Sequence, residues 1–187
     1  MWKKKKKNKT TDLSQKLLAV EPGNEHFVEY ENVCTEILKY IFGNYLTLWE
    51  NQITTNSELY RIDLCCKIKY GELHEFFDTI RRFFNTKYII FEFKNYKNPI
   101  TQKEIYTTEK YLYEKALRRV AIIISREGAD ENALVAAKGC LRENGKLIIC
   151  LSNEDMLKMI ELKKTKEKPT AEYLSDRLDD MLIHLEK

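Results

Sequence analysis

KYIIFEFKNY, residues 87–96, carries the strongest strand signal in this chain. Isoleucine and aromatic residues dominate it, as they do in strands buried within a sheet. Alternation places Ile89, Phe91 and Phe93 on one face and Ile90, Glu92 and Lys94 on the other. A strand this apolar belongs near the middle of a sheet, yet its second face bears a carboxylate and an ammonium. Buried charges are costly unless they are paired or bound to metal.

The preceding stretch, LTLWENQITTNSELYRIDLCCKIKYG (46–71), reads as two strands joined by a turn near Asn56-Ser57. In RIDLCCKI (61–68), alternation sets Ile62, Leu64 and Cys66 on one face and Arg61, Asp63, Cys65 and Lys67 on the other. If this strand pairs with 87–94, Asp63 meets Glu92 and Lys94 at one place. Between the two strands, His74 to Phe84 predicts a short amphipathic helix with Phe76, Phe77, Ile80, Phe83 and Phe84 as its apolar positions.

Further upstream, a short apolar piece (Leu13, Leu17, Leu18) precedes a break at Pro22-Gly23-Asn24. A helix follows from about Glu25 to Phe42, ended by Gly43-Asn44. Downstream, Thr101 and Glu104 form a capping box opening a helix predicted to reach about Leu117. VAIIIS (120–125) and KLIICL (146–151) are buried strands separated by a helix from about Asp130 to Glu143, which Asn144-Gly145 ends. Ser152 with Asp155 caps another helix. After Pro169-Thr170, Leu174, Leu178, Met181, Leu182 and Leu185 share one face of a last helix, as packing or as a dimer contact. The order predicts an α/β protein: a mixed sheet covered by helices, antiparallel at the hairpin and parallel at the last two crossovers.

Composition sets the outer bounds. A chain of 187 residues, 43% hydrophobic and 11% aromatic, fits one folded domain. It has no apolar run of membrane-spanning length, so no membrane partner is expected. The basic start has no apolar stretch behind it and does not read as a secretory signal. Cys34, Cys65, Cys66, Cys140 and Cys150 have no regular spacing and read as reduced thiols of a cytoplasmic protein, not as a zinc site. Six lysines in the first ten residues, with no acid among them, exceed the whole net charge of +3 and leave −3 for residues 11–187. The basicity is therefore a tail, either solubilising or a non-specific anchor on phosphates. No GxGxxG or GxxxxGK[ST] loop for nucleotides occurs, and no nucleophile–histidine motif.

Two carboxylates converging beside a lysine suit a hard divalent cation, with the Phe93 carbonyl as a further oxygen ligand. Such an ion activates water and polarises a phosphate, while Lys94 positions or deprotonates the water and offsets transition-state charge. Glu31 lies four residues after Phe27 and three before Cys34, inside the apolar stripe of its helix. Arg61 and Lys67 either contact phosphate or lie on a solvated strand edge, and Tyr96, Lys97, Lys110, Tyr111 and Tyr113 either line a nucleic-acid path or are core or rim positions.

At Asp63 in RID, Glu92-Phe93-Lys94 in FEFKNY and the helix-opening NPITQKEI, the sequence resembles the PD-(D/E)XK nuclease superfamily, and within it the Mrr-like restriction endonucleases. HFVEYENVCTEIL resembles the first core helix of that fold, and VAIIIS and KLIICLS its second half. The resemblance covers roughly residues 24–162, leaving 1–23 as a basic tail and extension and 163–187 as a C-terminal amphipathic helix. It implies a three-layer α/β/α restriction-endonuclease-like fold with a central mixed sheet. It also implies a Mg²⁺-dependent endonuclease hydrolysing DNA (RNA stays open), with Mn²⁺ as a substitute and a role in restriction or defence. By resemblance Asp63 and Glu92 are metal ligands, Lys94 is the catalytic lysine, Glu31 the helix carboxylate, and Gln102 a water- or phosphate-orienting residue. A homodimer would supply two active sites for two strands. The chain departs from the pattern in having Ile62 in place of the proline. It also separates Asp63 from Glu92 by an insertion at 71–86, which could partly cover the cleft. The alternative is a non-catalytic nucleic-acid- or protein-binding module on the same fold.

Overall fold

A computed structural model describes residues 13–54 and 61–186; the lysine tail and the expected turn at Asn56-Ser57 lie outside the described residues. Five strands form one sheet in chain order: β1 (Leu46–Thr54), β2 (Arg61–Ile68), β3 (Tyr88–Lys94), β4 (Val120–Ser125) and β5 (Leu147–Ser152). β1, β2 and β3 pair antiparallel, whereas β3, β4 and β5 pair parallel. β4 lies inside the parallel half and all six of its residues are buried. Its unbroken VAIIIS run is what a strand covered on both faces requires.

Helices cover both faces. On one side lie α1 (described over 13–19), α2 (Phe27–Phe42), α3 (Glu75–Phe83), α6 (Asn153–Thr165) and α7 (Glu172–Ile183), burying Phe91, Phe93, Ile122 and Ile149 beneath them. On the other, α4 (Gln102–Glu109) and α5 (Glu131–Asn144) cover Ile90, Ala121, Ile123 and Ile148. The fold is therefore three-layered α/β/α around a central mixed sheet. No helix among the described residues is long and apolar enough to cross a membrane.

The capping signals act as expected. Thr101 with Glu104 and Ser152 with Asp155 both form complete capping boxes. Gly145 ends α5 in the left-handed conformation at φ 59°, where a side chain would be strained.

Several expectations need correction. The helix after Thr101 stops at Glu109 rather than near Leu117. Tyr113 pairs with Arg118 in an isolated bridge, and the Leu117 carbonyl accepts Lys87 and Tyr88 N–H groups, so this segment is drawn to the start of β3. Ile62 packs with Cys65 and Ile90, whereas Leu64 and Cys66 pack beneath the opposite face. Simple alternation therefore fails at Asp63. Leu18, Phe83 and Leu182 are exposed despite fitting their helices' apolar stripes.

The insertion carrying α3 joins the end of β2 to the start of β3, whereas Asp63 and Lys94 lie at the opposite ends of those strands. Phe77 stacks on Tyr45 and meets Phe42 edge-on, and His74 bonds Glu172 on α7 at 3.1 Å. The insertion thus thickens one helical layer at the far end of the sheet and takes no part in covering the acids.

Candidate active site

The β2–β3 ladder runs from Lys67 opposite Tyr88 to Leu64 opposite Phe91 and stops there, while β3 continues along β4 to Lys94. Beyond Leu64 the strands fork, and side chains replace the missing ladder bonds. Phe93 N–H donates to Asp63 Oδ2 at 3.0 Å, and Asp63 N–H donates to Glu92 Oε1 at 3.4 Å. This substitution keeps buried main-chain donors satisfied where the strands part. It also fixes both carboxylates in the gap, with Asp63 4% and Glu92 2% exposed.

Lys94 closes the cluster. Its Nζ lies 2.9 Å from Glu92 Oε2 and 3.7 Å from Asp63 Oδ2. Burial alone would depress the lysine pKa, but the two carboxylates outweigh it and hold Lys94 as an ammonium. Burial pushes Glu92 up to about 7; the Lys94 charge opposes that rise and the Asp63 charge adds to it. The reason is a charge deficit. Two buried carboxylates share one ammonium, so one negative charge stays uncompensated unless a proton or a further cation takes it.

Glu31 approaches from α2. It is buried, and both its oxygens accept from Gln52 Nε2, at 2.5 and 2.7 Å. Burial raises its pKa, Gln52 lowers it, and the Asp63 charge raises it further; Lys94 and Arg61 act the other way. Glu31 thus lies within electrostatic reach of the fork and deepens the deficit there. Gln52 is a residue the sequence did not single out. It sits on β1 with its backbone at φ 54°, two residues past an irregularity in register between Thr47 and Glu50. Nothing in the polar run Glu50-Asn51-Gln52 marks it.

Gln102 stands apart. It is exposed at the first position of α4 and makes no hydrogen bond with Asp63, Glu92 or Lys94. Lys97, Lys110 and Tyr113 are also exposed, whereas Tyr111 packs against the α4–α5 core.

The donor set fits a small hard cation. Among the described residues no group of three or more His, Cys, Asp or Glu side chains gathers to hold a metal. Mg²⁺ does not need one, because it commonly takes one or two carboxylates and leaves other positions to water and phosphate. Asp63 Oδ1 accepts no hydrogen bond from the described residues. In an extended strand the N–H and C=O of one residue point the same way, so the Phe93 carbonyl faces the gap into which its N–H donates. Asp63, Glu92 and the Phe93 carbonyl are all oxygen donors around an uncompensated negative charge.

The buried Glu92 has a measurable consequence. Between its ordinary pKa of 4.5 and about 7, the folded chain keeps a proton there that the unfolded chain releases. The metal-free fold therefore loses stability as pH rises through that window. Glu92→Gln removes the loss. In thermal denaturation with EDTA, the variant is expected to melt about 5 °C above wild type at pH 8, for about 2 kcal/mol. At pH 4 the two should melt together. A gap that is largest at pH 4 would contradict this.

A scan against family models, a search of curated proteins and a search of solved structures each found no match to this chain.

Proposed function

We propose that this chain is a metal-dependent endonuclease that hydrolyses phosphodiester bonds in DNA in the manner of the PD-(D/E)XK superfamily. The observation that carries the reading is the fork between β2 and β3. There Asp63, Glu92 and Lys94 meet within hydrogen-bond or ion-pair distance, with one negative charge left over. The fork also lies at the C-terminal ends of the parallel strands, where α/β sheets commonly hold ligands.

The residues divide the work. Asp63 and Glu92, with the Phe93 carbonyl, would hold Mg²⁺, or Mn²⁺ in its place. That cation supplies Lewis acidity, polarising the scissile phosphate and acidifying water. Lys94, as an ammonium, donates hydrogen bonds to the attacking water or a phosphate oxygen and offsets charge that develops as the new P–O bond forms and the old one breaks. Glu31, held in one orientation by Gln52, hydrogen-bonds water entering the same gap. The likeness to Mrr-like restriction endonucleases extends the proposal to restriction or defence, with a homodimer supplying a site for each strand.

The test is nicking of supercoiled plasmid. Wild-type protein is expected to nick in Mg²⁺ or Mn²⁺ and to stop in EDTA; no nicking with either metal would overturn the reading. Gln52→Ala is expected to fold normally, since Gln52 is exposed, yet to lower nicking about 10- to 100-fold, as loss of an orienting partner does at metal sites. Unchanged nicking would remove Gln52 from the site.

One observation favours a second reading, a non-catalytic binding module on the same fold. The Lys94 ammonium bonds Glu92 at 2.9 Å and lies 3.7 Å from Asp63, so a cation of the protein itself already sits beside both carboxylates. Nucleic-acid binding unchanged by EDTA, with no cleavage in Mg²⁺ or Mn²⁺, identifies that case.

A further inference from the structure

Beside the acids a cavity of about 290 Å³ opens to solvent, lined by Asn24, Phe27, Phe93, Lys94 and Tyr96. Lys94 belongs to both places, because its ammonium bonds Glu92 while its side chain lines the cavity. An occupant of the cavity is therefore one lysine side chain away from the carboxylates. Two aromatic rings reach it from different elements, Phe27 from the start of α2 and Tyr96 from the segment after β3. Tyr96 is 38% exposed, so no core holds its ring there. The Arg61 guanidinium lies 5.9 Å from the centre of the Phe27 ring and adds a second cation to the rim.

The walls are fixed rather than incidental. Asn95, between Lys94 and Tyr96, is buried and donates to the carbonyls of Glu21 and Gly23. Gly23 N–H returns a bond of 2.8 Å to the Asn95 carbonyl. Asn24, which lines the cavity, is thereby anchored to the same point of the chain as Tyr96.

We propose that this cavity takes the unstacked base of a nucleotide flanking the scissile phosphate, so that the substrate is single-stranded or locally unpaired nucleic acid. The inference rests on the nuclease reading and narrows its substrate. Small-ligand pockets run from roughly 300 Å³ upward, so this one suits a single ring system. Aromatic walls stack on any base, because every base offers a π-face. Lys94 and Arg61 supply the charge that a neighbouring phosphate needs. In an intact duplex both faces of each base are covered by neighbours, so a base enters the cavity only after unstacking.

The test titrates the full chain, in EDTA to prevent cleavage, into a single-stranded oligodeoxynucleotide carrying 2-aminopurine, and into the blunt duplex of the same sequence. The label is expected to quench on binding the single strand, and the duplex to bind at least about 10-fold more weakly. Tyr96→Ala should lose about 10-fold in single-strand affinity, together with the quenching, whereas Tyr96→Phe should keep both. Equal or tighter duplex binding, or Tyr96→Ala indistinguishable from wild type, overturns the proposal. Cleavage of the same single strand and of the duplex in Mg²⁺ is read separately. Quenching without any cleavage leaves the base pocket standing and removes the nuclease reading; cleavage without single-strand preference does the reverse.

Discussion

Asp63→Asn and Lys94→Ala are each expected to lower Mg²⁺-dependent nicking by about 10³-fold or more, for different reasons. Asparagine can still accept the Phe93 N–H, so the fork keeps its main-chain bond while losing a charged oxygen at the gap. Asp63→Asn should therefore bind Mn²⁺ more weakly and recover part of its rate at high metal. Lys94→Ala leaves every oxygen donor in place and removes the ammonium that bonds Glu92 and faces Asp63. Its site is one charge more negative, so Mn²⁺ should bind at least as tightly as in wild type while nicking stays lost at every metal concentration. Binding by calorimetry and nicking on the same samples separate the two. Full activity in either variant would contradict the assignment of roles.

Asn95→Ala is expected to cost about 3 kcal/mol of stability. The side chain is 1% exposed and serves three partners. Its Nδ2 donates to Glu21 O at 2.8 Å and Gly23 O at 3.1 Å, and its Oδ1 accepts from Arg126 Nε at 3.0 Å. Arg126 in turn donates to the Val20 carbonyl and lies over the Tyr30 ring. Truncation would orphan the Glu21 carbonyl, leave the Gly23 carbonyl with the His26 N–H alone, and loosen the guanidinium at once. About 10 °C of melting temperature should be lost, since each kcal/mol is worth about 2–4 °C in a domain of this size. Hydrogen exchange should locate the damage, with protection falling around residues 20–27 while the amides of β4 exchange as before. A melting temperature within about 1 °C of wild type would contradict this account of how the N-terminal segment is held.

That β2 and β3 are strands was readable from local pattern, and for β3 so were its faces. Ile89, Phe91 and Phe93 alternate with Ile90 and Glu92 as a pleated strand dictates, and the misplaced charges on that strand pointed to the fork. Capping chemistry is equally local, which is why Thr101 and Ser152 marked helix starts correctly. What escaped depends on tertiary context. Ile62 obeys alternation on paper, but the strands part at Asp63 and its side chain packs on the other face. Helical periodicity ran on past Glu109 because it does not register the pull of Leu117 toward Lys87 and Tyr88. Gln52 was invisible because its role comes from a partner 21 residues away on another element and from a positive-φ backbone that no local pattern marks. Glu31 carried a local signal, a carboxylate within an apolar stripe, whereas Gln102 rested on resemblance and lies exposed.

The central claim is that the negative charge left over at the fork is there to take a divalent cation. Crystals of the full chain soaked in Mn²⁺ test it most directly, through anomalous density. The account predicts a peak between the carboxylates of Asp63 and Glu92, within reach of the Phe93 carbonyl, with the Lys94 ammonium displaced from its position against Glu92. An empty gap at saturating Mn²⁺, with Lys94 still 2.9 Å from Glu92, would contradict it.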